Sequence, residues 1–362
     1  MSKTVHWVKR VLVSTIFLAL GAIQAVSASS VAEVRTWPEL ADALTANERS
    51  HTGGLVVVLA GDIERLEEDV PLPDITKDLT VRGDGHTVDG KGISPEKDAI
   101  FRIKDGNAVF ENFKVTGGSG FWGGAFYVMG GTVGLAGMTL SDNVADTGGA
   151  LMLKNGNVSL LNTEISRNRS DVAGGGISVY GGKISIIDTV IFDNVVRVGG
   201  GGGIQSLGGG DIELFGVQVV GNTANWEGGG LSFYSRYGGK ITITDCEISQ
   251  NRSSEYGGGI FVHDKNRSLR LENTKIHGNT AGEGGGGLCA ESTSVSAFNS
   301  TIVGNRIAEE LSAPVPSDYR IVDPVSFESE SCVVGVRDGG DTDWPDGKDN
   351  VKNADPEKLL VK

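Results

Sequence analysis

The chain has 362 residues, with 55 glycines but only 9 prolines, and a formal net charge of −14 at pH 7. An acidic surface of this kind repels nucleic acid and anionic lipid, so we expect neither as a partner. The glycines recur at a regular interval, which indicates a repeated fold and not a disordered chain.

Residues 1–28 are predicted to be a secretory signal peptide. Lys3, Lys9 and Arg10 form a basic start, an apolar stretch follows, and Ala28 ends a small-residue cleavage site. Removal of this segment takes away three cations and no anions, which moves the net charge to −17. We expect the mature protein to be secreted, extracellular or at the cell surface, with no membrane insertion after signal cleavage.

Residues 29–53 are predicted to form an N-terminal cap that contains one short helix. Thr36 can cap this helix and Pro38 suits its first turn. Trp37, Leu40 and Leu44 then share one apolar face. Because the open end of a stacked sheet recruits other strands, a helix at this end is expected to cover it.

A pattern repeats seven times after the cap: a Gly-Gly-Ala or Gly-Gly-Gly triplet, a short apolar strand, a glycine-rich turn and a second strand. The first residues after the triplets are Phe126, Leu151, Ile177, Ile204, Leu231, Ile260 and Leu288, at steps of 25 to 29. Such a unit cannot bury its own apolar face and must stack on its neighbours. The pattern therefore predicts an all-β fold, a right-handed parallel β-helix of about ten coils over residues 54–310, each coil rising about 4.8 Å.

One asparagine follows the second strand of every unit. We predict that its side chain turns inward and bonds to the same asparagine one coil away, and that it adopts the left-handed conformation of a corner. A row of ligand-binding asparagines is the alternative. These residues are Asn143, Asn168, Asn194, Asn222, Asn251, Asn279 and Asn305.

Three cysteines do not amount to a disulfide framework. Cys246 takes the position that Thr163 and Thr189 hold in other units, so we expect a small buried thiol there. A bridge between Cys289 and Cys332 is left open.

The repeated Gly-Gly-Ala/Gly-Ile and x-x-Asn motifs behind a signal peptide resemble the repeat of the chlamydial polymorphic outer membrane proteins. They are also similar to those of secreted right-handed β-helix proteins of pectate lyase type, as are the opening segment at 78–90 and the closing segment at 353–356. This resemblance implies the fold over about residues 33–360. Enzymes of that type carry clustered carboxylates, but none of their catalytic motifs matches this chain, so no catalytic residue is assigned.

Charged and aromatic residues recur between the asparagine and the next glycine triplet, where stacking would place them along one edge of the rod. They are Asp146, Asp171, Arg197, Trp226, Glu227, Glu255, Tyr256 and Glu283. Paired carboxylates can supply the acid and the base of glycosidic cleavage, and we interpret this edge as a candidate ligand-binding surface. A solvated turn rich in small and charged residues accounts for the same pattern.

Residues 311–362 are predicted to be an acidic C-terminal tail or end cap. Asp338, Asp341, Asp343 and Asp346 resemble a calcium-binding loop with one residue too many. Calcium is therefore a candidate ligand of this segment, although the predicted function requires no cofactor.

Dense, uniform repeats without a catalytic constellation favour a non-catalytic role. The predicted partner is a polysaccharide, a surface glycan or an extracellular protein, as in adhesion or surface structure. The alternative is a polysaccharide lyase or glycoside hydrolase that uses the acidic edge, with or without calcium.

Overall fold

The computed structural model describes residues 30–50, 54–93, 99–234, 237–308, 315–324, 326–337, 344 and 349–352. Within these ranges the chain forms one helix and a long series of short strands stacked in parallel, so the predicted all-β solenoid of about ten turns is confirmed. The predicted signal peptide and the four aspartates of the calcium-like loop lie outside the described residues.

The helix spans Trp37–Arg49 and covers the first coil, as predicted. Thr36 is its N-cap, and the backbone N–H of Glu39 donates to the Thr36 hydroxyl at 3.3 Å. Trp37 and Leu40 are buried against the solenoid, and the Trp37 indole donates to the carbonyl of Val70 at 2.8 Å. No helix among the described residues is long and apolar enough to cross a lipid bilayer.

Each complete coil contributes four strands, one to each of four sheets, whereas the repeated sequence pattern shows two of them. We number the sheets I to IV in the order in which the chain visits them after the glycine triplet. Sheet I contains Phe101–Ile103, Phe126–Val128, Leu151–Leu153, Ile177–Val179, Ile204–Ser206, Leu231–Tyr234, Ile260–His263, Leu288–Glu291 and Tyr319–Val322. Sheet II contains Ser30–Val34, Leu55–Leu59, Leu79–Arg82, Asn107–Glu111, Thr132–Ala136, Asn157–Leu161, Lys183–Ile187, Asp211–Phe215, Gly239–Thr244, Arg267–Glu272, Ser294–Phe298 and Ser326–Glu330.

Sheets III and IV complete the coil. Sheet III contains Ile63–Glu64, Thr87–Asp89, Lys114–Thr116, Thr139–Ser141, Glu164–Ser166, Val190–Phe192, Gln218–Val220, Glu247–Ser249, Lys275–His277, Thr301–Val303 and Val333–Val334. Sheet IV contains Ser119–Trp122, Val144–Thr147, Arg169–Ala173, Val195–Val196, Thr223–Ala224, Arg252–Ser253, Thr280–Ala281, Arg306–Ile307 and the antiparallel Val315–Pro316. The solenoid therefore continues beyond residue 310.

The core lies along the axis because alternate strand residues point inward. In sheet II, Ile184 and Ile186 are fully buried and pair with Ile212 and Leu214 of the next coil. The equivalent inward positions of sheets I and III hold mainly aliphatic and phenylalanine side chains, which form one continuous apolar cluster. Each coil thus buries its apolar face only when its neighbours are present.

The glycine triplets form the turn between sheets IV and I. The first glycine has a positive φ, as at Gly174 with +56°, which a residue with a Cβ adopts at a cost. The second leaves room for the adjacent coil, because a Cβ on Gly175 would collide with the carbonyl oxygen of Gly202. Both requirements recur in every coil, which explains why the triplet is repeated.

The seven repeated asparagines form a buried ladder along the corner after sheet III. In each step the Oδ1 atom of one asparagine accepts bonds from the backbone N–H and the Nδ2 group of the preceding one. Asn194, for example, donates both bonds to Asn222 at 3.0 and 2.9 Å, and its Nδ2 also donates to the carbonyl of Ile165 at 2.9 Å. Asp318 ends the ladder, since its Oδ1 atom accepts both donors of Asn305.

The expected left-handed conformation of these asparagines is wrong. Positive φ belongs to the residue before each of them, as at Asp142 (58°), Arg167 (53°) and Asp193 (53°). The physical reason is that this residue turns the chain at the corner, which aims the N–H and side chain of the following asparagine along the ladder.

The three cysteines are buried and none of them forms a disulfide bond, so the bridge left open between Cys289 and Cys332 does not form. Cys289 lies in a strand of sheet I, whereas Cys332 lies in the corner between sheets II and III. Cys246 does occupy the threonine position, because its Sγ atom accepts the N–H of Val217 at 3.4 Å as the Thr189 hydroxyl accepts that of Thr163 at 3.3 Å.

Candidate functional site

Exposed aromatic side chains of the described residues lie on one side of the rod and on the turn that leaves it. Among the described residues, every aromatic side chain classed as exposed lies in sheet I, in sheet IV, or in a segment that directly follows one of these two sheets. These are Phe121, Tyr180, Trp226, Tyr234 and Tyr237, with exposed fractions of 43 to 75%. We call the side formed by sheets I and IV the aromatic face.

Two rows of side chains run along this face beside the glycine turn. The inner row is the residue immediately before the first turn glycine: Trp122, Thr147, Ala173, Gly200, Glu227, Tyr256 and Gly284. The outer row is the residue before that: Phe121, Asp146, Val172, Gly199, Trp226, Glu255 and Glu283. The inner row is stacked coil on coil, because each turn glycine donates its N–H to the inner-row carbonyl of the next coil.

Sheet I lies on the other side of the turn. Its outward residues include Tyr127, Ser232 and Phe261, which are at most 6% exposed and form a buried layer beneath the turns. Beyond this layer, Tyr234, His263 and Glu291 follow one another in register on three successive coils. We call the strip of surface between the two rows and this line of residues the groove.

Glu227 is a carboxylate whose surroundings favour its protonated form. It is half-buried in the inner row, and burial raises the pKa of its carboxyl above the usual value. The charges of Glu255 and Glu291 raise this pKa further, whereas His263 opposes them. Glu227 thus faces charged groups from both sides of the groove and has an increased tendency to carry a proton.

His263 is held in a fixed orientation between two partners. Its Nδ1 atom lies 3.2 Å from a carboxylate oxygen of Glu291, and its ring stacks on Tyr234 with centroids 5.4 Å apart. Because Tyr234 is 43% exposed, the stacked pair presents a flat aromatic surface to the groove.

Tyr256, the next inner-row residue after Glu227, is held by two charged groups. Its phenol donates to the carboxylate of Glu283, and this bond together with burial raises the pKa of Tyr256 to about 12. The guanidinium of Arg320 lies over its ring, 5.3 Å from the centroid. Arg320 therefore places a cation at the end of the groove where the carboxylates collect.

The predicted edge residues divide into three groups. Trp226, Glu227, Glu255, Tyr256 and Glu283 lie together on the two rows over three consecutive coils. Asp146 lies three coils earlier in the outer row. The remaining two pair with each other on sheet IV, where the Nε atom of Arg197 lies 2.8 Å from Asp171 and both side chains are about half exposed.

Several residues of the groove were not predicted as site residues. Tyr234, His263 and Glu291 come after the glycine triplet, and Arg320 comes after the last repeat. Three of them could have been recognised from the register of the repeats, because Tyr234, His263 and Glu291 each lie at the same distance after their glycine triplet. Among the described residues, no three His, Cys, Asp or Glu side chains are placed to hold a metal ion.

Comparisons with known proteins bear on the fold. Residues 78–224 match the family model described as the right handed beta helix region. No curated protein matches the chain at a significant level. The chain is similar to the A-module of mannuronan C-5 epimerase AlgE6 from Azotobacter vinelandii, at 14% identity over 92% of this chain and 99% of that chain, with a TM-score of 0.41. That similarity carries no argument about activity, and the matched region together with the four parallel sheets supports a right-handed β-helix family.

Proposed function

We propose that this protein is exported and binds a polysaccharide chain along the groove of its aromatic face, without a required cofactor. The observation that carries this proposal is that, among the described residues, the exposed aromatic side chains lie in or directly after the two sheets of that face. Contiguous exposed apolar surface on a folded protein marks an interaction site. Pyranose rings present apolar C–H faces that pack on aromatic rings and hydroxyls that bond to carboxylates, and the groove offers both.

Trp226 and Tyr234 are the aromatic side chains that flank Glu227, at 48 and 43% exposure. We expect Trp226→Ala and Tyr234→Ala each to weaken polysaccharide binding about 10- to 100-fold, as loss of an aromatic anchor does at other binding sites. The measurement is titration calorimetry with plant, algal and bacterial polysaccharides, with and without calcium.

Leu66→Ala is the matched control, because Leu66 is 53% exposed but lies outside the aromatic face. It should leave the affinity unchanged. Wild-type protein that binds no polysaccharide in the panel, or Trp226→Ala protein that binds as tightly as the control, would contradict the proposal. Binding of an extracellular protein instead would point to the adhesion role that the chlamydial repeat suggests.

Glycosidic cleavage is a second candidate function, and the raised pKa of Glu227 is the observation that favours it. A carboxyl group that keeps its proton can give it to the leaving glycosidic oxygen as the C1–O bond breaks. Water then adds its oxygen to C1 and loses a proton to a second carboxylate, for which Glu255 and Glu291 are the candidates. The reaction consumes one water molecule for each bond broken and needs no other reactant.

If this reaction occurs, Glu227→Gln should abolish the release of oligosaccharides while leaving polymer binding in place. The rate of the wild-type protein should fall as pH rises through the pKa of Glu227, because the general acid is then lost. Product analysis by mass spectrometry at several pH values measures both. Glu213→Gln is the control, since Glu213 pairs with Lys183 on sheet II. Equal activity of the two variants would rule out Glu227 as the acid.

A further inference from the structure

The two rows carry aromatic side chains at a second place along the groove. Trp122 holds the same inner-row position as Glu227, and Phe121 holds the same outer-row position as Trp226. Four coil steps separate the two places, and strands stacked at about 4.8 Å put them about 19 Å apart along the rod. The groove therefore has aromatic groups at two positions.

The N-terminal pair is a built platform. The Trp122 and Phe121 rings meet edge to face with centroids 4.8 Å apart, and Trp122 stacks on Tyr127 with centroids 6.4 Å apart. Buried Met152 supports the Tyr127 ring from the next coil. Phe121 remains 55% exposed, so the platform is fixed from beneath and open from above.

Between the two places, the inner row contains no large side chain. Its members there are Thr147, Ala173 and Gly200, whose side chains are small or absent. The turn backbone is continuous across these coils, because Gly148 and Gly174 donate to the carbonyls of Ala173 and Gly200. A chain that rests on Trp122 can thus continue towards Glu227 without crossing a large side chain of this row.

The charge of the groove restricts what can lie in it. Glu227, Glu255, Glu283 and Glu291 collect at the C-terminal place, and burial together with neighbouring carboxylates raises the pKa of both Glu227 and Glu255. A polyuronate would bring further negative charge to these groups. At the other place, Arg102 is already engaged by Asp74, with Nε and Oδ1 2.6 Å apart. The four carboxylates at the C-terminal place outnumber the guanidinium of Arg320, which already lies over Tyr256, so the arrangement selects against an anionic chain.

We propose that Phe121 and Trp122 form a second sugar-binding station, and that the ligand is a linear, uncharged polysaccharide lying parallel to the rod across both stations. This inference rests on the proposed function and names its substrate class. It predicts that the N-terminal station adds affinity only for long chains, and that short ligands bind at the C-terminal station.

The test compares chain lengths in the same variants. Calorimetry would measure the dissociation constants of linear xylan and β-glucan, of their disaccharides, and of polygalacturonate with and without calcium. Trp122→Ala should weaken polymer binding about tenfold and leave disaccharide binding unchanged, whereas Trp226→Ala should weaken both. Phe121→Ala serves as a second variant, because its ring is more exposed and its loss disturbs packing less. Trp122→Phe should restore most of the polymer affinity.

Each outcome decides between the proposals. If wild-type protein binds none of these ligands, the proposed function fails and this inference fails with it. If Trp226→Ala weakens binding but Trp122→Ala and Phe121→Ala change polymer affinity less than twofold, only the second station is overturned. Binding of polygalacturonate more tightly than of the uncharged polymers would overturn the assigned substrate class. Equal losses for polymer and disaccharide in Trp122→Ala would show a general disturbance and contradict the inference.

Discussion

Replacing Asn222 by leucine should lower the free energy of unfolding by about 3–5 kcal/mol. The Asn222 Oδ1 atom accepts the backbone N–H and the Nδ2 group of Asn194, and its own Nδ2 donates to the carbonyl of Ile191 at 2.9 Å. Leucine has a similar size but no polar atoms. The substitution would therefore leave buried donors and an acceptor without partners, each costing about 1–3 kcal/mol.

Asn157→Leu is the matched control, because Asn157 is exposed at the start of a sheet II strand. Its effect should stay within about 0.5 kcal/mol. Thermal and denaturant unfolding followed by circular dichroism would compare the two variants, and hydrogen exchange would show whether the loss spreads from the coil that contains Asn222. Equal stability of the two variants would refute a stabilising role for the ladder.

Alanine at Gly174 should have an effect of comparable size, about 3–5 kcal/mol or loss of folding, for two separable reasons. The φ of Gly174 is +56°, which costs a residue with a Cβ about 1–2 kcal/mol. A Cβ there would also collide with the carbonyl oxygen of Ile177, which is backbone and cannot rotate away. Both penalties apply at once, because the turn is folded tightly onto its own strand.

Two further glycines separate the contributions. Gly85 has a φ of +89° and open space where a Cβ would lie, so Gly85→Ala should show the conformational cost alone. Gly175 meets the carbonyl of Gly202 in the adjacent coil without a positive φ, so Gly175→Ala should show the steric cost alone. Urea unfolding of the three variants gives the comparison. A Gly174→Ala protein no less stable than Gly85→Ala would show that the turn yields more easily than its packing indicates.

The stacked architecture also explains how a functional groove forms in such a chain. Residues at one position of successive coils become neighbours about 4.8 Å apart, so changes at a few positions create a surface along the rod. Trp122, Glu227 and Tyr256 share one such position, and the residues between Trp122 and Glu227 are small. The glycine turns keep this row in line, because their backbone bonds connect each coil to the next.

The sequence by itself determined the features that repeat. The glycine triplet, the apolar alternation and the asparagine recur in every unit, and each is a local requirement for a turn, a buried strand face or a corner. This is why the all-β solenoid, the capping helix at Trp37–Arg49 and the threonine-like position of Cys246 were predictable. A requirement that is repeated seven times is also recognisable when single units deviate.

Only the tertiary structure decided which side chains meet across the groove. Glu227 faces His263 and Glu291, and Arg320 lies over Tyr256, although the sequence pattern places neither of these contacts. The physical reason is that such contacts depend on the exact length of each coil and on irregular register, as between Ala145 and Thr147 in sheet IV. Arg320 also lies beyond the last repeat, so the pattern could not assign its position, whereas the continued stacking of sheet I brings it to the site.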